Sequence, residues 1–117
     1  MDRAVPVCRH LARLWLVHQR LTDENLRHTV LLITTELATN AIVHTGSTII
    51  TANLQKNRKY LQVQVNDEGN KPTGHDHWHN TSEYGRGLAL IITSTQALGT
   101  RVERDGTRTT WATVPLT

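Results

Sequence analysis

A carboxylate and a carboxamide stand four positions apart in segment 36–44, which is otherwise apolar with helical spacing. Residues four apart on a helix lie one above the other on the same face, so Glu36 and Asn40 are expected to be neighbours. Such a pair of oxygen donors could hold Mg²⁺ and orient a water near a phosphate. The alternative is an ordinary amphipathic helix with a solvated Glu and Asn, and the pair alone favours that alternative.

An Asp-x-Gly pattern follows a predicted strand at positions 67–69. The carboxylate of Asp67 could accept a hydrogen bond from an exocyclic amine, and Gly69 would let a flat ring approach the backbone. The same residues are also typical of a simple β-turn, so this pattern alone is weak evidence for a site.

A glycine-rich segment, Gly85-Arg86-Gly87-Leu88, opens a predicted helix. Its free backbone N–H groups and the positive end of the helix dipole would form an anion site, and glycines allow close approach. Arg86 could add a charge-assisted contact to a terminal phosphate. The alternative is a plain glycine-rich helix entry, which is about as well supported.

Helical and alternating apolar spacings predict the elements that must position these groups. The predicted helices span residues 6–20, 22–44 and 85–98, and the predicted strands span 48–54, 60–66, 100–104 and 107–114. Two hairpins with helices between them favour an α+β two-layer sandwich, in which a mixed, mostly antiparallel sheet is covered on one face by about three helices. Thr22 is the expected N-cap of the second helix, and Gly99 marks the expected end of the third.

The second helix is expected to bury one apolar stripe, formed by Leu26, Val30, Ile33, Leu37 and Ala41. Residues 68–84 have no usable period and are expected to form a lid. Its three alternating histidines, at positions 75, 77 and 79, would share one face of an extended segment, as Zn²⁺ ligands do. Solvated histidines are favoured instead, because no cysteine or fourth ligand has suggestive spacing.

Length and composition indicate one domain over residues 1–117. The 13 Lys and Arg against 10 Asp and Glu give a formal charge of +3, without the basic run typical of nucleic-acid or membrane-surface binding. The single cysteine, Cys8, excludes an intramolecular disulfide, and no apolar run is long enough to span a bilayer. We therefore expect a cytoplasmic protein that binds neither nucleic acid nor membranes directly.

The order of the three patterns resembles that of the GHKL (Bergerat-fold) ATP-binding superfamily: Glu-x-x-x-Asn on a helix, Asp-x-Gly after a strand, and Gly-x-Gly opening a helix. The resemblance covers most of the chain and is closest to the small bacterial anti-sigma-factor serine/threonine kinase-like ATPases. It implies the Bergerat fold, with ATP and Mg²⁺ as cofactors.

The resemblance also assigns roles at the phosphate end of the site. Asn40 would ligate Mg²⁺, Glu36 would act as general base, and residues 85–88 would hold the phosphates. At the base end, Asp67 would recognise the adenine amine and Gly69 would make room for the ring. A family threonine in the last strand supports the adenine-binding Asp, and Thr109 is the best match.

Thr107 is the alternative match for that threonine. Two positions depart from the family pattern. Lys71 stands where many relatives carry a second glycine, and Val43 stands where sensor kinases often carry a basic residue. These departures bear on the hinge of the lid and on one phosphate contact.

The function implied by the resemblance is phosphorylation of a serine on an antagonist protein, together with binding of a sigma factor. Two alternatives remain open at this point. One is the catalytic ATP-binding domain of a sensor histidine kinase, and the other is a nucleotide-binding module without useful catalysis. The sequence also leaves open whether the chain forms a homodimer.

Overall fold

The computed structural model describes residues 3–45, 49–69 and 97–116 of the chain. Within those residues it contains two helices and four strands: α1 (Ala4–His18), α2 (Glu24–Thr45), β1 (Ile50–Lys56), β2 (Tyr60–Asp67), β3 (Ala97–Val102) and β4 (Arg108–Pro115). The strands form one antiparallel sheet in the order β1-β2-β4-β3. Helix α2 packs on β1, β2 and β4, and α1 packs on α2 and β1. This arrangement confirms the predicted α+β sandwich; the predicted lid from residue 70 and residues 85–96 of the third predicted helix lie outside the described residues.

Helix α2 is capped one residue later than the sequence predicts. The Oδ1 atom of Asp23 accepts a hydrogen bond from the backbone N–H of Leu26 at 2.9 Å, and Glu24 is the first helical residue. Asp23 is therefore the N-cap, and the assignment of that position to Thr22 is wrong. Both residue types can cap, but a carboxylate also interacts favourably with the positive end of the helix dipole.

Apolar side chains at helical spacing hold α2 against the sheet. Val30, Ile33, Leu37 and Ala41 are buried, and Leu26 packs against them partly buried. The predicted stripe is thus confirmed. Each of the larger side chains contributes about 1.5–3 kcal/mol when it is fully buried, so this stripe fixes which face of α2 meets the sheet.

Strand β2 points every second side chain towards α2. Leu61, Val63, Val65 and Asp67 are all buried, in keeping with the alternation of side chains along a strand. The first three belong to the hydrophobic core. The fourth inward position is a carboxylate, so the apolar layer ends where β2 ends and polar groups take over.

Strand β3 begins where the sequence predicts the end of a helix. Ala97, Leu98 and Gly99 pair with β4, whereas the predicted third helix runs through Leu98 and ends at Gly99. Leu98 packs against the core, and a Cβ on Gly99 would lie 2.3 Å from the ring of Trp111. Gly99 therefore allows a close approach within the sheet and is not a helix terminator; tertiary packing outweighs the local preference.

The end of β2 lies against the turn that joins β3 to β4. Gly69 has a φ of +62°, and a Cβ there would lie 2.9 Å from the backbone oxygen of Gly106 and 3.2 Å from the backbone nitrogen of Arg108. Gly106 has a φ of +88° in the predicted Asp105–Gly106 turn, but a Cβ there would meet nothing within 4 Å. The two glycines thus share a backbone conformation but differ in the space around them.

This difference generates a prediction about stability. Gly69→Ala should lower the free energy of unfolding by about 2–4 kcal/mol, because it adds a backbone clash to the cost of a positive φ. Gly106→Ala, the matched control, should lower it by only about 1–2 kcal/mol, from the positive φ alone. Urea unfolding of both variants measures the two changes. Equal losses would contradict the inferred contact between the two segments.

Candidate functional site

The lengths of α2 and β2 place Asn40 close to the level of Asp67. The first turn of α2 and the end of β4 line a common cleft of about 310 Å³, to which Leu26 and Val114 contribute. Val114 pairs with Leu61, so the start of β2 lies at the same end. From that end, Asn40 is about 21 Å along the helix at 1.5 Å per residue. Asp67 is about 20 Å along β2 at 3.3 Å per residue. A helix that follows the strand therefore brings the two side chains to the same end of the sandwich.

The connection after α2 leads to the same conclusion. Helix α2 ends at Thr45, and Ile50 already pairs with Asp67. Five residues of extended chain span at most about 18 Å. The C-terminal end of α2 must therefore lie within about 18 Å of Ile50, which pairs with the C-terminal end of β2.

Glu36 and Asn40 form the helical part of the candidate site. Asn40 is buried, with 8% of its surface exposed, and Glu36 is partly buried one turn earlier on the same face. Burial raises the pKa of the Glu36 carboxyl above its ordinary value, because desolvation disfavours the charged form. A carboxylate of this kind binds a proton more strongly than a solvated one, as a general base near neutral pH requires.

Asp67 is held in place from two sides. Its side chain is 1% exposed; Oδ1 accepts a hydrogen bond from the backbone N–H of Gly69 at 2.7 Å, and Oδ2 accepts one from Nη2 of Arg108 at 3.1 Å. The first bond is an Asx-type turn that draws the chain back towards β4. Both oxygens have fixed positions, as a carboxylate that recognises a ligand's amine requires.

The threonines expected to support Asp67 do not reach it. Thr109 donates to Oε2 of Glu103 at 2.5 Å and accepts from Nδ2 of Asn66 at 3.1 Å; Thr107 also accepts from Asn66, at 3.1 Å. Asn66 and Asp67 are consecutive in β2, so their side chains lie on opposite faces of the sheet. The predicted support of Asp67 by Thr109 is therefore not met in the structure. The bond from Thr109 instead holds the pKa of Glu103 below its ordinary value.

Arg108 occupies the place where the threonine was expected, and sequence reasoning missed it. It lies directly opposite Asp67 in the β2–β4 pairing and on the same face. A usable signal existed: Ala112 and Val114 read as inward-facing, and counting back by twos along the strand also turns Arg108 inward. An arginine on the buried face of a strand usually has an anionic partner, which the Asp-x-Gly pattern supplies.

The donor set of the described residues fits Mg²⁺ held together with a nucleotide. Mg²⁺ is bound through few protein oxygens and through substrate phosphates, and one buried carboxamide at Asn40 suits that mode. Among the described residues, no three His, Cys, Asp or Glu side chains cluster as an all-protein metal site. The segment 85–88 and the lid histidines lie outside the described residues.

A second concave surface lies away from these residues. It is an apolar groove of about 480 Å³ between α1 and β1, which Val7, Leu11, Trp15 and Leu54 help to line. Its single thiol, Cys8, is partly buried, and burial raises the pKa of that thiol above its ordinary value. A protonated thiol is a poor nucleophile, so this groove carries no candidate chemistry.

No helix in the described part of the chain has the length and apolar character needed to cross a membrane.

No curated protein is significantly similar to the chain in sequence. Residues 2–113 match the sequence model of a family described as the histidine kinase-like ATPase domain. That match spans both helices and nearly all of the sheet, including every candidate site residue. The chain therefore belongs to the histidine kinase-like ATPase domain family, within the GHKL superfamily, and its function is of the ATP-binding GHKL type.

Proposed function

We propose that the chain is an ATP-dependent serine/threonine protein kinase of the anti-sigma type, which binds Mg·ATP between α2 and the end of β2. The observation that carries the proposal is the partly buried carboxylate of Glu36, whose pKa is raised by burial, one helical turn before buried Asn40. The packing of α2 brings this pair to the end of the sheet where Asp67 lies. In this proposal, the residues with acid–base, metal-binding and base-recognising roles share one end of the sandwich.

In this proposal, Asn40 ligates the Mg²⁺ that ATP carries, and the metal neutralises charge on the β- and γ-phosphates when it is bound. The phosphates are held by Gly85, Arg86, Gly87 and Leu88. This assignment rests on the sequence pattern at the start of a predicted helix. These residues position the nucleotide, which is the main task of the protein in phosphoryl transfer.

Glu36 accepts the proton of the attacking hydroxyl. Its raised pKa supports this role, because a base whose pKa lies nearer the working pH drives proton transfer better. Asp67 accepts a hydrogen bond from the adenine amine. Gly69 has no side chain and so leaves room for the adenine ring. Arg108, in place of Thr109, is the neighbour that bonds to Asp67.

We further propose that the phosphoacceptor is a serine or threonine of an antagonist protein. The chain would also bind a sigma factor, and phosphorylation would regulate transcription by switching partners. The family resemblance supports this role. The competing functions are the catalytic domain of a sensor histidine kinase and an ATP- or ADP-binding module without catalysis.

Labelling separates the three functions. Purified protein is incubated with γ-labelled ATP, Mg²⁺ and candidate antagonist proteins, and the labelled residue type is identified. A labelled serine or threonine supports the proposal, whereas a labelled histidine favours the sensor kinase. ATP binding without labelled protein or released phosphate leaves only the binding module.

The metal assignment predicts the effect of Asn40→Ala. This change should weaken ATP binding about tenfold or more in the presence of Mg²⁺, because it removes a protein ligand of the metal, and it should have little effect without Mg²⁺. Titration calorimetry with ATP and ADP, with and without Mg²⁺, measures the difference. Asn25→Ala, at an exposed position on the same helix, is the matched control and should leave binding unchanged. Equal weakening with and without the metal would contradict the assignment.

The base assignment predicts the effect of Glu36→Gln. Binding of ATP should be preserved, while turnover should fall at least about a hundredfold, the lower end of what a general base contributes. In the unaltered protein, turnover should fall as the pH drops through the raised pKa of Glu36, since the base must be ionised. Glu24→Gln, at an exposed position in the first turn of α2, should retain turnover. Full turnover in Glu36→Gln would contradict the role.

The same variant has a predicted signature in stability. Because the folded-state pKa of Glu36 is raised, its carboxyl costs nothing below the unfolded-state pKa and becomes destabilising as the pH rises through the folded-state value. Glu36→Gln should therefore be more stable than the unaltered protein at neutral pH, with no advantage in acid. Chemical unfolding at several pH values measures this trend.

Base recognition predicts the effect of Asp67→Asn. An amide can present either a donor or an acceptor, so the preference for ATP over GTP should fall by about tenfold, a typical value for one hydrogen bond to a charged group. Competition binding of the two nucleotides measures the preference. Asp105→Asn, in the exposed turn between β3 and β4, should leave it unchanged. Unaltered selectivity in Asp67→Asn would count against adenine recognition by this carboxylate.

A further inference from the structure

One arginine next to the proposed base site has a donor that the described residues leave unused. Nη2 of Arg108 donates to Oδ2 of Asp67 at 3.1 Å, but Nε of Arg108 is buried and donates no hydrogen bond to residues 3–45, 49–69 or 97–116. A buried polar group without a partner is uncommon in native proteins because its desolvation is not compensated. This donor needs an acceptor that the described residues do not supply.

The geometry of the guanidinium indicates where that acceptor would lie. Nε and Nη2 donate from the same edge of the planar group, the edge that usually grips a carboxylate with two parallel bonds. Here only Nη2 bonds to Asp67, at Oδ2, while Oδ1 accepts a bond from the backbone N–H of Gly69. The Nε–H bond therefore points to the side on which the Asp67 carboxylate lies.

Asp67 still has capacity to bind a ligand beside Arg108. A carboxylate offers about four acceptor positions, and two are used, by Gly69 and Arg108. A ligand amine can thus bond to Asp67 without displacing the arginine. An acceptor of Asp67 and a free donor of Arg108 then stand side by side on neighbouring strands.

We propose that Arg108 is a specificity-determining residue that reads the base together with Asp67. Adenine presents an amine donor and the ring nitrogen N1, an acceptor, next to each other on one edge. The amine donates to Asp67, and N1 accepts from Nε–H of Arg108. This inference rests on the proposed nucleotide site and adds a second reader of the base, on the strand beside Asp67.

A base lacking the ring acceptor provides the test. ATP and 1-deaza-ATP differ at N1, which is a C–H group in the analogue, and both keep the amine. With Mg²⁺ present, the unaltered protein should bind 1-deaza-ATP about tenfold more weakly than ATP, the value for one charge-assisted hydrogen bond. Titration calorimetry measures both affinities.

Arg108→Lys keeps a positive charge beside Asp67 but removes the two-donor edge. This variant should bind ATP and 1-deaza-ATP with nearly equal affinity. A purely structural role would weaken both nucleotides by the same factor and leave their ratio at the unaltered value, so the ratio isolates base reading. Arg101→Lys is the matched control, because Arg101 bonds to Glu103 and lies on the opposite face of the sheet. In this variant the ratio of the ATP and 1-deaza-ATP affinities should stay near ten.

Two results overturn the inference alone: equal binding of ATP and 1-deaza-ATP by the unaltered protein, or an unchanged ratio in Arg108→Lys. Arg108 is then only a counter-ion of Asp67, and the proposed ATP site stands because ATP still binds. Absence of ATP binding by the unaltered protein overturns the proposed function and this inference with it. If Arg108→Lys does not fold, Arg108→Gln replaces it with the same expected loss of discrimination.

Discussion

The apolar contact between α2 and β2 is the constraint on which the candidate site depends. The stripe on α2 and the inward side chains of β2 fix the face of the helix. The cleft that Leu26 shares with Val114 indicates its direction along the strand. Helix and strand differ about twofold in rise per residue, so only certain pairs of positions come level. Asn40 and Asp67 form such a pair, because both lie about 20 Å beyond the end where Leu26 meets the sheet.

This arrangement has a desolvation cost at Asp67, whose carboxylate points inward like the apolar side chains before it on β2. A buried carboxylate without a partner is strongly unfavourable, and Arg108 on the neighbouring strand supplies the partner at 3.1 Å. A buried ion pair of this kind adds little net stability, since desolvation offsets most of the attraction. Its effect is positional: with the bond from Gly69, it fixes a carboxylate where the core ends.

Sequence alone predicted what depends on periodicity and could not predict what depends on register. The stripe on α2, the antiparallel hairpins and the Asp105–Gly106 turn follow from local spacing, and the structure confirms them. The choice between Thr109 and Arg108 as neighbour of Asp67 depends on which residues of β2 and β4 stand opposite each other. A shift of one residue turns every side chain to the other face, so a family pattern read without register selected the wrong face.

Polar side chains that are wholly or partly withdrawn from water are found among the residues of the candidate site. Glu36 is partly buried, Asn40 is buried, and the Nε donor of Arg108 has no acceptor among the described residues. At the opposite end, Leu26 and Val114 line the cleft of about 310 Å³, and no described side chain there has a buried polar atom without a partner. Selection for stability alone would favour apolar residues at these positions. Positions that depart from the usual burial of apolar side chains are commonly functional sites. A ligand with both donors and acceptors at this end would supply the acceptor that Nε of Arg108 lacks and would contact the other polar groups.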